Sequence, residues 1–100
     1  MFNELFGYMD MIGNYEERVV KNDKCADFTL DTARVTDRNW IYETAVAHSR
    51  FNNGDWIILD GCGSKEEAVE MHNKWLNKLQ NEDITELTDY YTDEVFRKEV

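Results

Sequence analysis

The chain contains no proline, only five glycines and no low-complexity tract. Long disordered segments select for the opposite composition, so none is expected. Cysteine is scarce: Cys25 and Cys62 stand far apart, and a disulfide between them would require the fold to bring them together. Reduced thiols in a cytosolic chain are the expectation. His48 and His72 are the only histidines. Neither they nor the cysteines show the local spacing that a three- or four-ligand metal site uses, so no metal and no cofactor is expected. No apolar run approaches membrane-spanning length, and the sequence shows no basic-then-apolar secretory leader. Cations are few as well, 11 against 21 carboxylates.

That imbalance gives a net charge of −10. Residues 1–50 carry nine acidic and six basic side chains, and residues 51–100 carry twelve and five, so the excess lies in the C-terminal half. From Glu82 to Glu94 there are six carboxylates and no Lys or Arg. Such a surface repels phosphate backbones, which argues against direct nucleic-acid binding, and it steers basic protein partners towards itself.

What is present reads as one α+β domain over 1–100, since 100 residues is the size of a single domain. A small antiparallel sheet of three to five strands is expected across 15–60, packed on one main helix over 64–79. A short N-terminal helix over 2–12 precedes them, from the helical spacing of Phe2, Leu5, Phe6, Met9 and Ile12. An acidic C-terminal segment over 83–100 follows the main helix.

The central feature is a hairpin. Its first strand is Tyr42 to His48 and its second is Trp56 to Leu59. Asn53-Gly54 offers the two positive-φ residues of a type I′ turn, although Asn52 would allow a longer loop. The two-residue turn predicts Phe51 opposite Trp56. It places Ala45, Ala47, Phe51, Trp56 and Ile58 on one face, with Tyr42, Val46, His48, Ile57 and Leu59 on the other. Both faces are then apolar. One helix can cover one face, so the second face must meet the N-terminal helix, the C-terminal segment or another protein chain.

The main helix is marked by its boundaries and its stripe. Ser64 with Glu67 forms a capping box, and Glu66, Glu67 and Glu70 complement the positive helix start. Ala68, His72, Trp75, Leu76 and Leu79 form the apolar stripe. Gly61-Cys62-Gly63-Ser64 resembles an anion cradle, but Glu66 and Glu67 occupy the place of a phosphate and no lysine follows in the P-loop position. A Cys62–His72 nucleophile pair lacks any marked oxyanion hole. The tail fits either a helix or two short strands, Leu87–Tyr91 and Val95–Lys98. Its Thr and aromatic content favours the strands.

Tyr42-Glu43-Thr44-Ala45-Val46 with His48, Phe51-Asn52 with Gly54 and Trp56, Ser64-Lys65-Glu66-Glu67-Ala68, and His72 with Trp75 together resemble a family of short phage and prophage proteins without an assigned activity. Asp31-Thr32-Ala33 also fits that pattern. The match covers about half the chain and stops before the acidic tail. The resemblance implies a viral origin, the cytoplasm of an infected bacterium, and no catalytic residues to carry over.

Two functions follow as expectations, and neither involves turnover. The first is a phage-encoded acidic inhibitor that binds the basic surface of a host defence protein, such as a CRISPR or restriction nuclease. Asp83, Glu86, Asp89, Asp93 and Glu94 would supply the contact charges, with Tyr90, Tyr91 and Phe96 as aromatic anchors. The second is a structural or accessory virion protein that acts as a homodimer through Ala45, Ala47, Phe51, Trp56 and Ile58.

Overall fold

The computed structural model describes residues 18–35 and 41–100. The expected 2–12 helix lies outside them. The described chain is an α+β fold. Strands β1 (Val19–Lys24), β2 (Phe28–Arg34), β3 (Tyr42–His48) and β4 (Trp56–Cys62) form an antiparallel sheet in the order β1-β2-β3-β4. Helix α1 (Lys65–Asn81) packs on it, and β5 (Glu86–Thr88) and β6 (Val95–Arg97) close a separate two-stranded hairpin. Among the described residues no helix is long and apolar enough to cross a membrane.

The side chains that face α1 can be read from the register. Phe28, Leu30 and Thr32 of β2 pair with His48, Val46 and Thr44 of β3. Leu30 and Val46 are fully buried with Phe51 and Ile57, and Leu59 and Leu87 complete the apolar core. The opposite face is also buried within the chain: Asp31, Ala33, Glu43 and Ala45 are each no more than 3% exposed. Strand β2 is therefore buried on both sides over most of its length.

The β3–β4 connection departs from the two-residue turn. Trp56 pairs with Ala47 rather than with Phe51, and Ser49 to Asp55 form the loop. Asn52, Asn53 and Gly54 all take positive φ, at 54°, 54° and 84°. Asparagine tolerates that region through its short polar side chain. The wider loop lets Phe51 leave the Ala45 face and enter the core under α1, where it is 1% exposed and sets its ring edge against His48. Burying a phenylalanine contributes about 2–3 kcal/mol, more than a tight turn saves.

A bulge in β4 has a further consequence. Ala45 pairs with Ile58 and Thr44 with Asp60, so Leu59 is the extra residue. Asp60 is thereby brought to the helix side, where its carboxylate accepts from Trp75 Nε1 at 3.2 Å and from Lys74 Nζ at 3.1 Å. Bulges re-aim side chains in this way.

Ser64 caps α1. Its Oγ accepts from the Glu67 N–H at 3.2 Å and donates to Glu67 Oε1 at 3.1 Å. The reciprocal half of the box thus uses the serine hydroxyl. Met71 joins Ala68 and His72 in the buried stripe, and the helix runs past Leu79 to Asn81. Both cysteines are free thiols.

Candidate functional site

The C-terminal hairpin follows the extended reading of the tail. Leu87, 2% exposed, anchors β5 to the core, and its cross-strand partner Phe96 packs beside it. The alternate positions Glu86 and Arg97 pair on the other side and form an ion pair of 2.7 Å. A three-residue strand pair is marginal alone. Here it is tied down by the Tyr90 N–H, which donates to the Ile58 carbonyl at 2.7 Å.

The turn between β5 and β6 is ordered by its own polar groups. Asp89 Oδ1 accepts from the N–H groups of Tyr91 (2.9 Å) and Thr92 (3.1 Å), an Asx-type turn. The Asp89 N–H donates to the Glu94 carbonyl at 2.8 Å, and Asp93 sits at φ 63° with its N–H on the Asp89 carbonyl at 3.0 Å. The turn is therefore a fixed platform.

Between this hairpin and α1 lies a groove of about 510 Å³. Leu59, Leu87, Ile84 and Trp75 give it an apolar lining, while Glu86, Asp89 and Asp93 give it an acidic rim, joined by Lys78 and Tyr90. The Lys74 and Lys78 ammonium groups each lie 5.6 Å from the Trp75 ring centre. A groove of this kind accepts a side chain with an apolar stem and a cationic head.

Of the eight partner residues expected from sequence, Glu86, Asp89, Tyr90 and Asp93 meet at this groove. Asp83 lies apart and pairs with Lys98 at 3.4 Å. Glu94 is exposed at the turn. Two of the aromatic anchors have internal duties: Phe96 packs on the core, and the Tyr91 hydroxyl donates to Glu43 Oε2. Among the described residues no cation pairs with Asp89, Asp93 or Glu94. Charge that the hairpin does not neutralise is thus concentrated at its tip.

The dimer candidates fare differently. Ala45 and Phe51 are each 1% exposed in the single chain, so neither can reach a partner. Ala47, Trp56 and Ile58 are half-buried. Leu59, Trp75 and Ile84 complete the groove although sequence reasoning does not place them there. Trp75 belongs to the helix stripe expected from sequence, but its position at the hairpin depends on long-range packing.

A second polar cluster is internal. His72 is fully buried, with Nε2 2.8 Å from Asp23 Oδ2 and Nδ1 2.8 Å from Thr32 Oγ1; Thr32 Oγ1 is 2.5 Å from Thr44 Oγ1. With Nε2–H donating to the carboxylate, Nδ1 of a neutral ring accepts from Thr32, and Thr32 accepts from Thr44. The order carboxylate, imidazole, hydroxyl matches a nucleophilic triad. However, Thr32 and Thr44 have no exposed surface, so no substrate atom reaches either hydroxyl.

His48 lies at the far end of β3 from this chain, stacked on Phe28 and accepting from the Arg50 N–H at 3.0 Å on Nδ1. Burial pushes its pKa below the ordinary 6.5, against the pull of Asp27 and with help from Lys98 and Arg50. Burial raises the Cys62 thiol, aided by Glu67 and Asp60 and opposed by its bond to the Ser64 carbonyl. A raised thiol is a poor nucleophile at neutral pH. Among the described residues no three His, Cys, Asp or Glu side chains are grouped to hold a metal ion.

Comparison with protein-family models, curated proteins and solved structures finds no match.

Proposed function

We propose that this protein is an acidic binding module of phage origin that inactivates a host defence protein by contact. The preferred target is a nucleic-acid-handling enzyme with a basic channel, such as a CRISPR or restriction nuclease. One observation carries the reading: Asp89, Asp93 and Glu94 stand uncompensated on a rigid turn beside an apolar groove. Fixed carboxylates lose little entropy on docking, and they imitate the charge of a phosphate backbone. A Lys or Arg stem laid on Leu59 and Trp75 would bring its head to Asp89 or Asp93.

The test is direct binding of the purified chain to purified defence nucleases over a range of salt. The triple variant D89N/D93N/E94Q is expected to weaken binding at least about tenfold and to flatten its salt dependence. Equal affinity and equal salt slope for the variant and the parent would refute the mimicry. Self-association as a virion accessory protein is the second reading. It has less support, because Ala45 and Phe51 of the expected interface are enclosed by their own chain. A monomer in sedimentation at micromolar concentration would remove it.

A further inference from the structure

A cavity of about 270 Å³ lies at the opposite end of the charge scale, lined by Arg18, Arg34, Lys65, Tyr42, Val19 and Val20. Three cations around one small space are unexpected in a chain of net charge −10. Their convergence follows from the register. Arg34 ends β2 directly opposite Tyr42, on the helix side with Thr32 and Thr44. Lys65 is the first residue of α1, so the positive end of the helix dipole adds to the same field. Arg18 is 3% exposed and is held by its Nε, which donates to the Arg34 carbonyl at 3.1 Å.

Lys74, Lys78, Arg97 and Lys98 each pair with a carboxylate. Among the described residues no carboxylate pairs with Arg34 or Lys65. Shared lining of one cavity sets Arg34 and Lys65 apart, since Lys21, Lys24 and Arg50 also form no ion pair among the described residues but do not line it. Both side chains are exposed, so water screens their repulsion, and the cavity they share leaves room for an anion between them. We propose that this cavity is a binding site for a small phosphate-type anion, held by the Arg34 guanidinium and the Lys65 ammonium. A guanidinium fork matches phosphate oxygens bidentately, and the ammonium adds a point charge. The volume falls just below the roughly 300–1,000 Å³ of ordinary small-molecule pockets, which suits a phosphomonoester rather than a polymer. The site is independent of the acidic hairpin and of the partner proposed for it.

Nitrogen-15 amide spectra of the full chain, titrated at constant ionic strength with inorganic phosphate and then with glycerol 3-phosphate, test this. Saturable shifts confined to the surroundings of Arg34, Tyr42 and Lys65 are expected, with a dissociation constant of roughly 1–10 mM for inorganic phosphate. Arg34→Gln and Lys65→Gln are each expected to weaken binding about tenfold. Lys24→Gln removes the same charge from the far end of β1 and is expected to leave affinity within about twofold. Both ligands binding in this way sustains the site, and tighter binding of the ester names an organic phosphate as its occupant. Absence of saturation up to about 50 mM, an equal response to chloride, or R34Q and K65Q no weaker than K24Q would overturn it.

Discussion

The Asp23–His72–Thr32–Thr44 chain and the β5–β6 turn are both built from polar side chains, yet their groups end in different places. In the first, each buried atom meets a partner inside the protein, and only Asp23 reaches solvent. In the second, the internal bonds of Asp89 are to backbone N–H groups and its charge stays directed outward. The contrast teaches how to separate structural polarity from polarity available for contact. A satisfied buried network specifies packing, whereas an ordered surface cluster without counter-charges is ready for a partner.

Removing His72 should break the comparison most severely. His72→Ala deletes a fully buried ring and leaves Thr32 without its acceptor, so we expect a loss of about 3 kcal/mol in urea unfolding. A loss below about 1 kcal/mol would mean that the chain contributes little to stability. Leu87→Ala attacks the attachment of the hairpin. A loss of about 2 kcal/mol is expected, together with early proteolysis within the tail; coincident loss of sheet and tail would show one cooperative unit.

The triple variant D89N/D93N/E94Q sharpens the other side of the comparison. Its stability should change by no more than about 0.5 kcal/mol, since the amide introduced at half-buried Asp89 keeps the acceptor oxygen and Asp93 and Glu94 are exposed. Thermal or urea unfolding decides it. The smallest effect belongs to His48. Burial lowers its folded-state pKa from 6.5, so on acidification the unfolded chain takes up the proton first. Its contribution is therefore full above the ordinary value and lost as pH falls through the folded one. Urea midpoints at about pH 7.5 and about pH 5.5 should differ less for His48→Phe than for the parent. An unchanged difference would assign the acid sensitivity to other groups.

Much of the fold was legible because its signals are local. Ser64 and Glu67 mark the start of α1, and the period of Ala68, His72, Trp75 and Leu76 marks the stripe that packs on the sheet. The tail was legible as strands from its Thr and aromatic residues. Phe51 escapes the sequence reading for a physical reason. Asn53-Gly54 is a strong turn signal, but Asn52 also accepts positive φ, and the longer loop buries the ring. The site was only partly legible. Its acidic rim stands out as a charge run, while the apolar lining of Leu59, Trp75 and Ile84 comes from three separate segments. Nothing local in Arg34 or Lys65 announces that they share a cavity.

The amino-acid order by itself determined the strand and helix periods, the cap of α1 and the acidic excess of the tail, because these depend on neighbours a few residues apart. Only the tertiary structure decided which face Phe51 joins, where the β4 bulge turns Asp60, and which charges find partners. Those outcomes are settled by competition among distant groups for burial and counter-charge, and no short window of sequence contains both sides of that competition.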